Sequence, residues 1–442
     1  MEVDEKPIIT ADVDISSTDK CHSSNSGSRS ASISEFEHLL DLTVSSGRLP
    51  AKLLLSSSTQ TTRSLDGSLV PQLTLPVACI LEADSATSSV LKPIWMWQSP
   101  NTVTSIGIGV FGDQTELPTV VVADTAGKLT LLKHTAAMDG DGELTTTQLD
   151  TKFSCISSMT LGNLANHTYL DVVVGDALGT VAIVLGGQQM FVRKEIGSSI
   201  TCLAIESRPG RRPWVIVGDS FGAITSFDLH NSATTKTRLR DAALSVIDTS
   251  KPVCHMIRCI HPVALFDDQE ICSRYLLVCD GSPFLYYLTD GNCAAVVKLP
   301  SQISCITSGY LSKQSMTNSA CASNTSMTQI AVGGLDGYIY MVDKLKVELY
   351  ANIDFTVTRL VPHRPPFFVL SDPDLLLCAG HCALLFVFQN KRLLHRLKTD
   401  AWVWDICSFN SKSQFVFCML DNSVHAMRFK ESDDEEGELV EE

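Results

Sequence analysis

The sequence predicts an all-β fold, a ring of seven four-stranded units closed on itself. Three observations carry that expectation. A short apolar hairpin recurs along the chain, as in "VVVADTAGKLTLLK", "VVVGDALGTVAIV", "VIVGDSFGAITSF" and "IAVGGLDGYIYMV". A strand of small and β-branched residues precedes each copy, and its seven versions start at Val103, Phe153, Ile200, Val253, Ile303, Val357 and Val403. These starts lie 50, 47, 53, 50, 54 and 46 residues apart. A period near fifty built of four short strands is the signature of a β-propeller blade. Turn-spaced strand pairs also occur in sandwiches, but seven units of one internal order fit a single ring.

Taken in chain order, residues 1–75 are Ser/Thr-rich and weakly patterned, and are expected to be largely disordered. Within them Ser34–Leu42 carries Phe36, Leu39 and Leu40 at helical spacing. Leu69–Leu81 is a candidate extra strand or arm. The propeller is expected over residues 76–430. "KPIWMWQS", Lys92–Ser99, precedes the first full unit, and the seventh unit lacks an outer strand after "VHAMRFK". The orphan strand is therefore expected to complete the last blade, pairing the two ends of the ring and leaving no long open edge. Its alternation places Trp95 and Trp97 on one face and Ile94 and Met96 on the other. Residues 431–442 form an acidic tail, expected to be disordered, with Ser432 in "SDDEE" as a phosphorylation candidate.

Each strand type suits its place in a ring. First strands line the crowded axis, where Ser105, Cys155, Cys202 and Cys305 are small and read as matching positions. Second strands are continuously apolar, as burial between neighbouring blades requires. In the hairpin turns, Gly127, Gly179, Gly222 and Gly337 allow positive φ, and Asp124, Asp176 and Asp219 can accept bonds from the turn backbone. Arg359, and His255 near the matching place in blade four, depart from the small-residue rule and mark possible contacts in the channel.

Composition narrows the function. The chain of 442 residues is 44% hydrophobic and carries a net charge of −15, of which the last twelve residues hold eight acids and no base. No basic footprint of a nucleic-acid binder is present. The N-terminus lacks an apolar signal segment and no apolar window is long enough to span a bilayer. Fifteen scattered cysteines without a C-x-x-C pair read as reduced thiols. A cytoplasmic location is expected.

At "LGNLANHTYLDVVVGDALGTVAIV", "VFGDQTELPTVVVADTAGKLTLLK" and "AVGGLDGYIYMVDKLKVELYANIDFTVTRL" the chain resembles the FG-GAP repeats of integrin-α-type intracellular propellers. The resemblance spans roughly residues 95–430. It implies a non-catalytic scaffold, a subunit of a KICSTOR-like complex that restrains TOR signalling at the lysosomal surface when amino acids are short. Its partners would be the other protein subunits of that complex. A BBSome-like ciliary-coat subunit is the alternative of the same class, and an enzyme with its site at the channel mouth is the alternative of another. Integrin-type repeats bind Ca²⁺ through several carboxylates at alternate positions. Here only Asp113 and Glu116 remain in one loop, and Asn163 and Asp171 in another, so no metal and no cofactor are expected.

Motifs of catalysis give little. "GIGVFG" opens no helix and belongs to no βαβ unit. "CAGHCALL" groups Cys378, His381 and Cys382 but has no partner motif, and reads as the hairpin of blade six. Asp280 and Ser282 in "CDGSPFLYYL" are ordinary turn residues. No nucleic acid, small-molecule substrate or membrane insertion is expected. Two loops stand out as partner-binding candidates because they pair arginines with aromatics, the residues interfaces favour. "RPGRRPW" offers Arg208, Arg211, Arg212 and Trp214, and "HRPPFF" offers Arg364, Phe367 and Phe368.

Overall fold

A computed structural model of the chain describes residues 91–429, apart from 112–116, 136–141, 166–168, 187–188, 209, 211, 230–233, 245, 247–255, 267–271, 314–327 and 344. Residues 1–90 and 430–442, with the Ser34–Leu42 and Leu69–Leu81 segments and Ser432, lie outside the described residues, as do His255, Arg211, Asp113 and Glu116.

The strands form seven antiparallel four-stranded sheets. The first strands are Val103–Gly109, Ile156–Gly162, Ile200–Glu206, Cys259–Phe266, Ile303–Gly309, Val357–His363 and Val403–Phe409. Two differ from the sequence expectation: blade two starts at Ile156 rather than Phe153, and blade four at Cys259 rather than Val253. Ile257, just ahead of Cys259, takes the blade-opening position. A Cβ added to Gly218 would meet it at 2.7 Å, as one on Gly175 would meet Ile200 at 2.6 Å and one on Gly333 would meet Val357 at 2.5 Å. The register therefore matches Ser105, Ser158, Cys202, Cys259, Cys305, Arg359 and Asp405 around the axis. Cys155 falls outside this set.

Second strands such as Asp171–Asp176 and Leu375–Gly380 are buried along their whole length. Their side chains point alternately into the two flanking junctions. Seven apolar clusters result, one between each pair of neighbouring blades. The cluster that joins blade seven to blade one contains Val416, Cys418, Val424 and Ala426 together with Val103, Ile106, Val120 and Val122.

Leu91–Gln98 supplies the outer strand of blade seven, antiparallel to Ser423–Phe429, with Trp95 opposite Ala426 and Trp97 opposite Val424. The latch is thus formed as the sequence indicates. One detail changes: a bulge between Pro93 and Trp95 shifts the alternation. Ile94 then packs on the same cluster as Trp95 and Trp97, and Met96 alone points to solvent.

The hairpin turns repeat one device. Asp124 Oδ1 accepts from the N–H groups of Ala126 (2.9 Å) and Lys128 (2.8 Å). Asp176 Oδ1 does so from Leu178 (3.0 Å) and Thr180 (2.7 Å), and Asp219 Oδ1 from Phe221 (2.9 Å) and Ala223 (2.8 Å). The glycine that follows sits at φ 75°, 92° and 76° in the three turns, a conformation that a Cβ would strain.

The same turns define the two faces of the ring. The turn N–H bonds the carbonyl just ahead of the first strand: Thr125 to Thr102 (3.0 Å), Ser220 to Ser199 (2.9 Å), Leu335 to Gln302 (3.0 Å), His381 to Thr356 (3.0 Å) and Leu420 to Trp402 (3.0 Å). The turn between second and third strands and the entry to the first strand therefore share one face, called here the entry face. Loops between first and second strands emerge on the opposite face.

Candidate partner-binding surfaces

The channel was one place to look for chemistry, because Arg359 breaks the small-residue rule there. It meets Asp405, the next matching residue around the ring, with Nε 2.7 Å from Oδ1. Asp405 is buried and also accepts from the Ile406 N–H (2.9 Å), the Ser105 hydroxyl (3.1 Å) and the Ile106 N–H (3.1 Å). One carboxylate thus ties blades six, seven and one together at the seam between the last blade and the first. Asp405 also holds the Arg359 guanidinium above its already high range. The cation is spent on the fold.

The thiols beside it are mostly quiet. Burial pushes Cys305 up to about 12, and raises Cys202, Cys378 and Cys407 as well. Cys259 is the exception. A hydrogen bond from Cys279, directly opposite in register, holds its thiol below the usual range, with a smaller contribution from Arg359. His261, two residues along, is pushed down to about 4 by burial and is neutral at pH 7. Its Nε2 lies 2.7 Å from the Ser308 hydroxyl. The imidazole is thus engaged with a neighbouring blade.

The carboxylate that survives from the Ca²⁺-type loop is also committed. Asp171 is fully buried and accepts from the N–H groups of Leu164 (2.9 Å), Ala165 (3.1 Å) and Gly186 (3.0 Å). The "CAGHCALL" motif is the hairpin turn of blade six, its Cys378 and Cys382 buried in an apolar cluster.

The two candidate loops, "RPGRRPW" and "HRPPFF", both emerge on the face opposite the entry face. Arg208 and Trp214 line a cleft of about 280 Å³ between blades three and four, floored by Ile216, Ile224, Leu276 and Leu288. Arg208 is held by Glu206 through two bonds (2.8 and 3.2 Å) and reaches Asp290 at 3.4 Å. Arg274, across the cleft, donates to the Ser207 carbonyl at 2.7 Å. Arg212 is exposed nearby.

The second loop splits by role. Arg364 donates inward to the carbonyls of Asp372 (3.0 Å) and Val369 (2.8 Å) and to Asp374 Oδ1 (2.7 Å). It shapes its own loop. Phe368 packs on the cluster between blades six and seven. Phe367 remains exposed, with Val369 and the 85% exposed Leu370 beyond it. Sequence reading named Phe367 but passed over its two apolar neighbours.

The entry face carries a surface that sequence reading missed. In the first position of the turn, blades one to four have Thr125, Ala177, Ser220 and Gly281. Blades five, six and seven have Leu335, His381 and Leu420. Phe355 and Trp402, from the entries to blades six and seven, lie between them. The contacts run without a break. Thr356 Oγ1 donates to the Leu335 carbonyl (2.8 Å), the His381 ring stacks on Trp402 at 5.3 Å, and the Leu420 N–H bonds the Trp402 carbonyl. Leu335, Phe355, Trp402 and Leu420 are 38%, 42%, 45% and 51% exposed. Leu178 and Phe221 project singly from the turns of blades two and three. The signal was present in "AWVWDI" and in a leucine standing where turn chemistry favours polar residues.

Solved structures with this fold are many. The chain is similar to BBS1N, crystallised in complex with ARL6DN, at 11% identity and a TM-score of 0.54, over 78% of this chain and 98% of that one. It is similar to the WD40 β-propeller domain of Doa1 at 11% identity and a TM-score of 0.53, over 77% of this chain and 98% of that one. At such identity the likeness shows the propeller fold. No family model matches the chain, and no curated protein does. The FG-GAP resemblance therefore rests on its short motifs.

Proposed function

We propose that this protein is a non-catalytic scaffold whose rigid ring holds protein partners. One observation carries the reading: on one face, neighbouring turns and entries of blades five to seven expose four large apolar side chains, Leu335, Phe355, Trp402 and Leu420. Contiguous exposed apolar surface marks interaction sites in soluble proteins. In the channel Arg359 is meanwhile paired with Asp405. BBS1N, of the same fold, was crystallised in complex with ARL6DN.

The narrower reading, a subunit of a KICSTOR-like complex acting on TOR signalling at the lysosome, rests on the sequence resemblance alone. Purifying the tagged full-length chain from its own cells, followed by mass spectrometry, tests both levels. Stoichiometric recovery of KICSTOR subunits supports the narrow reading. Stoichiometric recovery of other proteins, ciliary-coat subunits among them, replaces it and leaves the scaffold standing. A chain that purifies alone, from a lysate in which it is monomeric by size, overturns the scaffold itself.

A further inference from the structure

The geometry points to the chemistry of the partner: the arc over blades five to seven is built for a short segment that is both apolar and basic. This rests on the scaffold reading and adds to it the face used and the class of ligand.

The ring supplies its own control. A repeat of seven units places seven residues in equivalent settings, so a departure confined to adjacent blades needs a cause. The second residue of the first strand is Thr104, Ser157, Thr201 and Ser304 in four blades. In each its hydroxyl caps a carbonyl beside the bulge, at 3.2, 3.2, 3.1 and 2.9 Å. Blade six keeps Thr358 and blade four has Arg258 in the equivalent place, while blade seven has Trp404, half exposed, with Nε1 donating to the Thr104 carbonyl (3.1 Å). A hydroxyl that satisfies the backbone has given way to an indole displayed to solvent. The change falls in blade seven, beside Trp402 and Leu420; blades five and six keep Ser304 and Thr358 at this position.

Charge fixes the rest. Exposed Asp336, Asp354, Asp400 and Asp421 lie on the turns and entries of these blades. Against them stand Lys398 and Arg359, and Arg359 is held by Asp405. An acidic rim around exposed aromatics complements lysine or arginine, which the field steers and whose heads sit favourably over tryptophan faces. The same rim disfavours other occupants. A second copy meeting this face would set acids against acids. Residues 431–442, with eight acids and no base, would be repelled, and so would anionic lipid. The occupant is a segment of another protein carrying apolar side chains with interspersed Lys or Arg.

The test uses the purified full-length chain and fluorescence polarisation with four labelled synthetic peptides of equal length. One alternates Leu or Trp with Lys, a second replaces Lys by Glu, a third replaces the apolar residues by Ser, and a fourth is Ser and Glu only. The first is expected to bind at least tenfold more tightly than each of the others, with affinity falling as salt rises. Trp402→Ala combined with Leu420→Ala is expected to weaken it about tenfold or more, and so is Asp400→Lys combined with Asp421→Lys. Melting temperatures of these variants are measured alongside. Leu370→Asp on the opposite face is expected to change nothing. Equal binding of the Lys/Ser peptide or of the Leu/Glu peptide overturns the proposal, as does full binding by the Trp402/Leu420 variant. Cellular partners lost by Leu370→Asp but kept by that variant also overturn it, while leaving the scaffold reading intact.

Discussion

Asp405→Ala is the substitution that most directly tests how this ring is held shut. The carboxylate is 4% exposed and collects four donors from three blades: Arg359 Nε, the Ser105 hydroxyl, and the N–H groups of Ile106 and Ile406. Its removal leaves two backbone N–H groups in a buried seam without an acceptor, at about 1–3 kcal/mol each. The stranded Arg359 adds less, because 44% of its side chain faces channel water and screening there keeps such a pair near ~1 kcal/mol. The sum is about 4 kcal/mol. At about 2.1 cal/mol/K of unfolding entropy per residue, a ring of this size should melt about 6 °C lower. Differential scanning calorimetry at neutral pH and one fixed scan rate reads this directly. Arg359→Met, which keeps the carboxylate and its N–H donors, should lower the melting temperature by no more than about 2 °C. That asymmetry is the core of the reasoning. Equal losses from both variants would mean that the ion pair, not the capped backbone, secures the seam. An unchanged melting temperature for Asp405→Ala would refute the staple altogether.

Two further outcomes are expected. Deleting residues 92–99 removes the outer strand of blade seven and bares the edge of Ser423–Phe429. Size-exclusion chromatography should then show oligomers or aggregate, and a monomer of unchanged melting temperature would show that the ring does not depend on this closure. The second concerns acid. His363 is fully buried, stacked on Phe429 at 4.9 Å with Nδ1 2.7 Å from the Ser408 hydroxyl, and burial holds it down to about 4. Unfolded, it takes a proton near pH 6.5, so the unfolded chain binds more protons between the two values. Its contribution is complete above pH 6.5 and is lost as pH falls toward 4, to a limit of about 3 kcal/mol. Urea unfolding of wild type and His363→Phe across that window should show a shallower pH slope in the variant, and parallel slopes would refute the assignment.

The fold was legible because a ring repeats its instructions. The second strands are buried on both faces, so they must be apolar throughout, and "VVVG", "VIVG" and "LLLC" announce them wherever they occur. The Asp and Gly of the turns are needed to satisfy and bend backbone, and they recur for that reason. Even the latch could be read, since a missing last strand and a surplus first one have a single joint solution. Blade four was misplaced because its opening residue, Ile257, is followed by Arg258 rather than by the Ser or Thr that five of its sisters carry, and "VCHMIRC" imitates the pattern a few residues early.

Binding surfaces followed a different logic. Arg208 and Arg364 were chosen for their chemistry, yet a guanidinium serves a fold as readily as an interface. Arg364 turns inward onto three acceptors of its own loop, and Arg208 is chelated by Glu206. Residue type alone does not distinguish those uses. Comparison between blades does. Thr125, Ala177, Ser220 and Gly281 show what the turn needs for stability, so Leu335, His381 and Leu420 show what three neighbouring blades carry beyond that need. Exposed leucine and tryptophan gain nothing from burial here, and they add an aggregation liability. In a symmetric ring, the positions at which adjacent units jointly give up the residue their sisters require are where selection for a partner becomes visible. On this chain they converge on the entry face of blades five to seven.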